Sequence, residues 1–173
     1  VAPPAFDVTA PATSRKKATD AEYPLVFPFF ALELLGETLA TDTADLNPNL
    51  DAVNALAYER HHIEGGEFVV RSPITSDPKA YADDNGLPAW PMITHDRPIS
   101  EADIASLFSA RSTIIADAVS TAVARGYDGY VLDVEVAFTN PATPRSQYMT
   151  FVNELTAALH AADKKLMVAT ARW

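Results

Sequence analysis

Gly126-Tyr127-Asp128-Gly129-Tyr130-Val131-Leu132-Asp133-Val134-Glu135 is the stretch that decides the fold. It opens on a glycine that can end a helix and runs on through aromatic and aliphatic residues, so Asp128 to Glu135 reads as a strand. Side chains alternate between the two faces of a strand. Tyr130, Leu132, Val134 and Val136 fall on one face; Gly129, Val131, Asp133 and Glu135 fall on the other. The first set suits packing beneath helices. The second carries two carboxylates at the strand's C-terminal end, where a central parallel strand would ordinarily be apolar on both faces.

At roughly 3.3 Å per residue, the Cα atoms of Asp133 and Glu135 lie about 6.6 Å apart. Two carboxylates that close resist double ionisation, which pushes one apparent pKa upward. A carboxylic acid still protonated near neutral pH is what a general acid needs. Active sites of α/β folds sit at the C-terminal ends of strands. The plainer alternative for the same two residues is a solvated strand end, or pairing with arginines.

Outward from this strand the elements alternate. Before it, Ser100 to Arg125 reads as helix. Ser100 is the cap and Glu101 and Asp103 sit in the first turn, with a break near Ser112 and Gly126 as terminator. After it, Thr143 caps and Pro144 opens a second helix with the stripe Phe151, Val152, Leu155, Ala158 and Leu159, ending at Lys164-Lys165. Leu166 to Ala171 reads as a strand. Upstream, Leu87 to Thr94 and Glu67 to Ser72 read as strands behind Asn85-Gly86 and Gly65-Gly66. Leu50 to Tyr58 is taken as a strand ending near Tyr58, residues 36–50 as a loop, and Tyr23 to Phe30 as a first strand despite two prolines. Residues 1–22 form a flexible segment and residues 23–173 the folded domain. Strands alternating with helices predict an α/β fold with a parallel sheet.

The chain has 173 residues, 48% hydrophobic and 21% charged, which suits a globular domain and excludes a disordered or fibrous one. Lys and Arg number 13 against 23 Asp and Glu, a net charge of −10 that repels nucleic acid and anionic membranes. No apolar run approaches the roughly 18 residues of a membrane span. The absence of cysteine excludes disulfides, thiolate catalysis and cysteine-ligated metal. There is no phosphate loop, no Gly-x-Ser-x-Gly elbow and no His-Glu-x-x-His. No signal peptide is visible, and the opening VAPPAFDVTAPATS reads as a mature terminus or linker, which favours an exported, extracellular protein.

GYDGYVLDVE resembles the fourth-strand signature of glycoside hydrolase family 18, Asp-Gly-x-Asp/Asn-x-Asp-x-Glu, through Asp128, Gly129, Asp133 and Glu135. Val131 departs from it. The flanks are similar too: an Arg-Gly-Tyr helix end before the strand, then SQYMTFVNELTAALHAADKK and LMVATA after it, with LPAWPMIT like the third strand. The likeness extends over roughly residues 50–171.

That resemblance implies a (β/α)8 TIM barrel. Since a full barrel takes about 250 residues, it implies the N-terminal five or so β/α units of one. It implies a retaining glycosidase acting on glycans that contain β-linked N-acetylglucosamine: chitin, peptidoglycan or an N-glycan core. Glu135 would be the acid/base. Asp133 would orient the substrate's own 2-acetamido group as nucleophile, departing from the usual two-carboxylate scheme. No metal or cofactor is implied. Where the family carries Asp or Asn to hydrogen-bond the next aspartate, Val131 cannot. The alternative is therefore a catalytically inactive, chitinase-like carbohydrate-binding protein. The apolar residue is also similar to family 85 endoglycosidases, whose strand reads Asp-Gly-Trp-Leu-x-Asn-x-Glu.

Further substrate contacts are assigned to Asp128, to Tyr58 (cleft lining or core), and to Thr94, where His95 and Asp96 also read as a turn. Phe138 and Asn140 fall on the rim, and Trp173 could stack on a sugar face. Trp90 reads as core. His61, His62 and Glu64 suggest a metal site, but a sequential His-His pair rarely points both rings at one ion and no further ligand is evident, so they read as a surface loop or rim contact.

Overall fold

A computed structural model describes residues 26–95, 100–135 and 142–169. Five parallel strands stand side by side in chain order: β1 (Phe29–Phe30), β2 (Leu56–Glu64), β4 (Ala89–Thr94), β5 (Gly129–Asp133) and β6 (Lys165–Val168). β3 (Glu67–Val70) folds back on β2 as an antiparallel hairpin. The helices are α1 (Leu39–Leu46), α2 (Lys79–Asp84), α3 (Glu101–Arg125) and α4 (Ala142–Ala161). Sequential parallel strands with helical crossovers make the α/β wall that the alternation predicts.

The parity of β5 holds. Tyr130, Leu132 and Val134 pack into one core with Ile104, Leu107, Ile114, Ala118 and Ala122 of α3 and with Tyr148, Phe151, Leu155 and Leu159 of α4. Buried side chains of this size contribute about 1.5–3 kcal/mol each. The Tyr130 hydroxyl donates to the Ala118 carbonyl at 2.9 Å, which ties β5 to α3. On the other face Val131 joins Ala57, Trp90 and Met92 in an inner cluster. Gly129 belongs here because a Cβ would come within 2.8 Å of the Trp90 ring and would also run into the Lys165 carbonyl.

α3 is capped as its sequence predicts. The Ser100 hydroxyl accepts from Asp103 N–H, Asp103 returns the bond, and Gly126 closes the helix at φ 69°. The helix is continuous, without the break expected near Ser112. Ser112 and Thr113 face solvent, while the buried stripe passes them on the other side from Leu107 to Ile114.

Other expectations need correction. Residues 36–50 are not a loop: they hold α1, nucleated by a Thr38–Thr41 capping box, and a 3-10 turn from Asn47. The strand expected over Leu50 to Tyr58 begins only at Leu56 and runs to Glu64, because Asn47–Ala52 is taken up by that turn. α4 starts at Ala142, so Thr143 lies inside it and is not its cap. Lys164 and Lys165 lie beyond its end; Asp163 turns the chain at φ 57° and Lys165 opens β6. The flexible segment 1–22 lies outside the described residues.

Candidate functional site

The C-terminal ends of β2, β4 and β5 meet on the inner side of the sheet. Thr94 at the end of β4 is the register partner of both His62 on β2 and Asp133 on β5. Along β2 the alternation of Ala55, Ala57 and Glu59 brings a carboxylate to this same side. The Thr94 hydroxyl donates to Glu59 Oε2 at 3.0 Å. Arg71, just past β3, places Nη1 3.0 Å from the same oxygen and 3.1 Å from Thr94 Oγ1. Glu59, Thr94 and Arg71 therefore form a closed triangle in a largely dry place.

Burial pushes the Glu59 carboxyl up. The Arg71 charge and the hydrogen bonds from Arg71 and Thr94 pull it back without cancelling the rise, and the charge of Asp133 adds to it. Asp133 also rises, and burial is the cause. Among the described residues no side chain hydrogen-bonds its carboxylate. A half-buried carboxylate with no hydrogen-bonding side chain among the described residues is available to a ligand that offers an N–H. Glu135 follows two residues later, beyond the end of β5, and is exposed.

The other assigned residues are distributed differently. Asp128 lies at the opposite, N-terminal end of β5, where its carboxylate accepts the Ala89 N–H at 2.8 Å. Tyr58 is fully buried among Phe30, Leu32, Leu56 and Ile74, and its hydroxyl donates to Asp77 Oδ1 at 3.3 Å. Of its two expected places it takes the core. Trp90 is core as well, on the inner side, edge-on to Phe27. Asp96, Phe138, Asn140 and Trp173 lie outside the described residues.

His61 and His62 are not in a surface loop. Both are 3% exposed within β2. A shift of register between Glu59 and His61, a β-bulge, breaks the alternation of that strand, β3 pairs along it, and Phe68 of β3 stacks on His61. No group of three ligating side chains with metal-site geometry occurs among the described residues.

Glu59 and Arg71 escaped the sequence reading. The signal for Glu59 was present: Ala55, Ala57, Glu59 ends on an acid as Val131, Asp133 does. Arg71 carries no local signal, since only the hairpin brings it over Thr94.

No protein-family model matches the chain, and no curated protein sequence matches it. Solved structures do match. A chitinase from Chromobacterium violaceum superposes with a TM-score of 0.68 at 24% identity, over 83% of this chain and 44% of that one. A class V chitinase from Pseudomonas fluorescens gives 0.67 at 20% identity, over 84% and 44%. The spore cortex-lytic enzyme SleL of Bacillus megaterium gives 0.66 at 15% identity, over 82% and 33%. The chain thus spans less than half the length of these proteins, and at such identities the likeness is one of fold. No helix among the described residues is long and apolar enough to cross a membrane. The chain is an α/β protein with the fold of part of a chitinase TIM barrel.

Proposed function

We propose that this chain supplies the acid/base end of a retaining glycosidase acting on glycans with β-linked N-acetylglucosamine. The observation that carries the reading is the acidic end of β5: Asp133 is half-buried with its carboxyl raised by burial, Glu135 follows it into solvent, and the surrounding fold is shared with chitinases. Glu135 gives its proton to the glycosidic oxygen as the bond from that oxygen to the anomeric carbon breaks. The acetamido carbonyl oxygen of the same sugar bonds to the anomeric carbon, and Asp133 accepts the acetamido N–H and stabilises the oxazolinium so formed. Glu135, now a carboxylate, takes a proton from a water that opens the ring at the anomeric carbon, with configuration retained. The bound partner is a carbohydrate, no metal or cofactor takes part, and the place of action is extracellular.

Glu135→Gln tests this. Turnover of a chitobiose-type reporter falls by about 10²–10⁴-fold, the range lost with a general acid, while the circular dichroism spectrum is unchanged. Unchanged turnover refutes the assignment.

One observation favours a second reading, a carbohydrate-binding protein without turnover. Val131 is buried among Ala57, Trp90 and Met92, so the floor beneath Asp133 is apolar and offers it no hydrogen bond. Calorimetry with chito-oligosaccharides beside the reporter assay separates the two: heat of binding with no hydrolysis selects the binding protein.

A further inference from the structure

On the other side of the sheet, between β3 and the last turns of α3, lies a cleft of about 280 Å³. That is several times the roughly 30 Å³ a water occupies, enough for a polyatomic ion. The crossover from β2 to β4 carries a hairpin strand and only the six-residue α2, so no long helix fills this place. Its lining includes Arg60, His61, Phe68, Ser120, Thr121 and Arg125.

Two of these side chains are more than nine-tenths buried and incompletely satisfied. His61 is 3% exposed, stacked on Phe68 at 4.5 Å and met edge-on by Tyr127 and Tyr130. Neither ring nitrogen has a partner at hydrogen-bonding geometry among the described residues, although the Val69 backbone is near enough to raise its basicity slightly. Arg60 is 8% exposed; Nη1 donates to the Ser76 carbonyl at 2.7 Å, but Nε is buried without a partner among the described residues. Buried polar groups in folded proteins are ordinarily hydrogen-bonded, so two such groups on one cleft need an explanation.

The charges point the same way. Arg60 and Arg125 each hold a guanidinium nitrogen 3.9 Å from Asp77 Oδ2, so one carboxylate faces two cations. Asp77 is further engaged by the hydroxyls of Tyr58 and Tyr127 and by the Lys79 N–H. The carbonyl end of α3 opposes an anion with about half a negative charge, but its Ala122 and Val123 carbonyls are taken up by Tyr127 and Gly126. Two guanidinium charges against one carboxylate and that half charge still leave the cleft net positive. Burial, and then the Arg60 charge, hold His61 down to about 4, so it stands neutral at pH 7 and brings an N–H without adding charge.

We propose that this cleft is a binding site for a small oxyanion, a carboxylate or a phosphate, held by Arg60, His61 and Arg125 with the hydroxyls of Ser120 and Thr121. It is separate from the acidic inner site and does not depend on the function proposed for it. The test is a titration of the chain with sodium phosphate, and separately with sodium acetate, at pH 7 and constant ionic strength held with chloride. The His61 ring resonances are followed by NMR. A saturable shift with either anion is expected, and the anion that saturates first names the chemistry. Arg125→Gln, at an exposed position that should fold normally, weakens the binding about tenfold, as loss of one charge-assisted contact does. His61→Phe keeps the stack on Phe68 and abolishes the saturable rise in melting temperature that the anion produces. A linear, unsaturable response overturns the proposal. So does a response equal in Arg125→Gln, which would mean that water and adventitious ions fill the cleft.

Discussion

β2 and β5 both carry polar residues into the packed wall, and they accommodate them in different ways. On β5 the alternation is strict: apolar and hydroxyl-bearing residues face the helices, and Asp133 appears on the inner side only at the strand's end. On β2 four polar residues in succession, Glu59 to His62, are all buried. The bulge after Glu59 is what allows it, sending Glu59 to Arg71 and Thr94 on the inner side and His61 to Phe68 and Tyr130 on the outer. A regular strand sorts polarity by parity. A bulged one can deliver neighbouring polar residues to separate sites.

The largest effect should come from breaking the β2 side. Arg71→Met leaves the Glu59 carboxylate buried without its cation, and denaturant melts should show a loss of about 3 kcal/mol or more. Combining it with Glu59→Met should recover most of that loss, because the desolvated charge is then gone. If the single variant is neutral, the Glu59 triangle is not what organises the end of β2. On β5 a smaller loss is expected from Tyr130→Phe, which removes the hydroxyl bond to the Ala118 carbonyl while that carbonyl keeps its place in the helix; about 1 kcal/mol in the same melts is the scale of one such bond.

The smallest effect sharpens the comparison through pH. Burial raises the pKa of Asp133 in the folded state, so the folded chain holds that proton more tightly than the unfolded one. The sign follows: this group's contribution favours folding below its ordinary value and is lost as pH rises through the folded value. Asp133→Asn should therefore be more stable than the parent at pH 7, and the gap should close on acidification below about pH 4. A gap that widens instead would mean the carboxylate is stabilised when charged, as it would be beside a cation.

The same contrast accounts for what could be read in advance. β5, its parity, and α3 with its Ser100 and Gly126 ends follow from local rules of alternation and capping, and the structure obeys them. The parallel α/β wall followed from the order of elements. α1 was missed because its capping box uses threonine at both ends of the pair, Thr38 and Thr41, within a polar stretch that contains no strong apolar period. His61 and His62 read as surface residues because no local pattern shows that β3 pairs along this end of β2, that Phe68 stacks on His61, or that the His95 ring meets His62. At the inner site Asp133 and Thr94 were legible from their strand ends. Arg71 was not, for no local pattern shows which strand a hairpin will lean its next residue over.

α3 has one more consequence. Its 25 residues rise about 37 Å, roughly twice the span of the five-residue β5 beside it. In its third turn Ala110 would lie 3.1 Å from a Cβ at Gly66, on the tip of the β2–β3 hairpin, and at its last residue Arg125 reaches Asp77. One rod thus splints two distant ends of the wall. Amide protons at the hairpin tip and around Asp77 should exchange with solvent as members of a single cooperative unit, slowing or quickening together when the rod is strengthened or frayed.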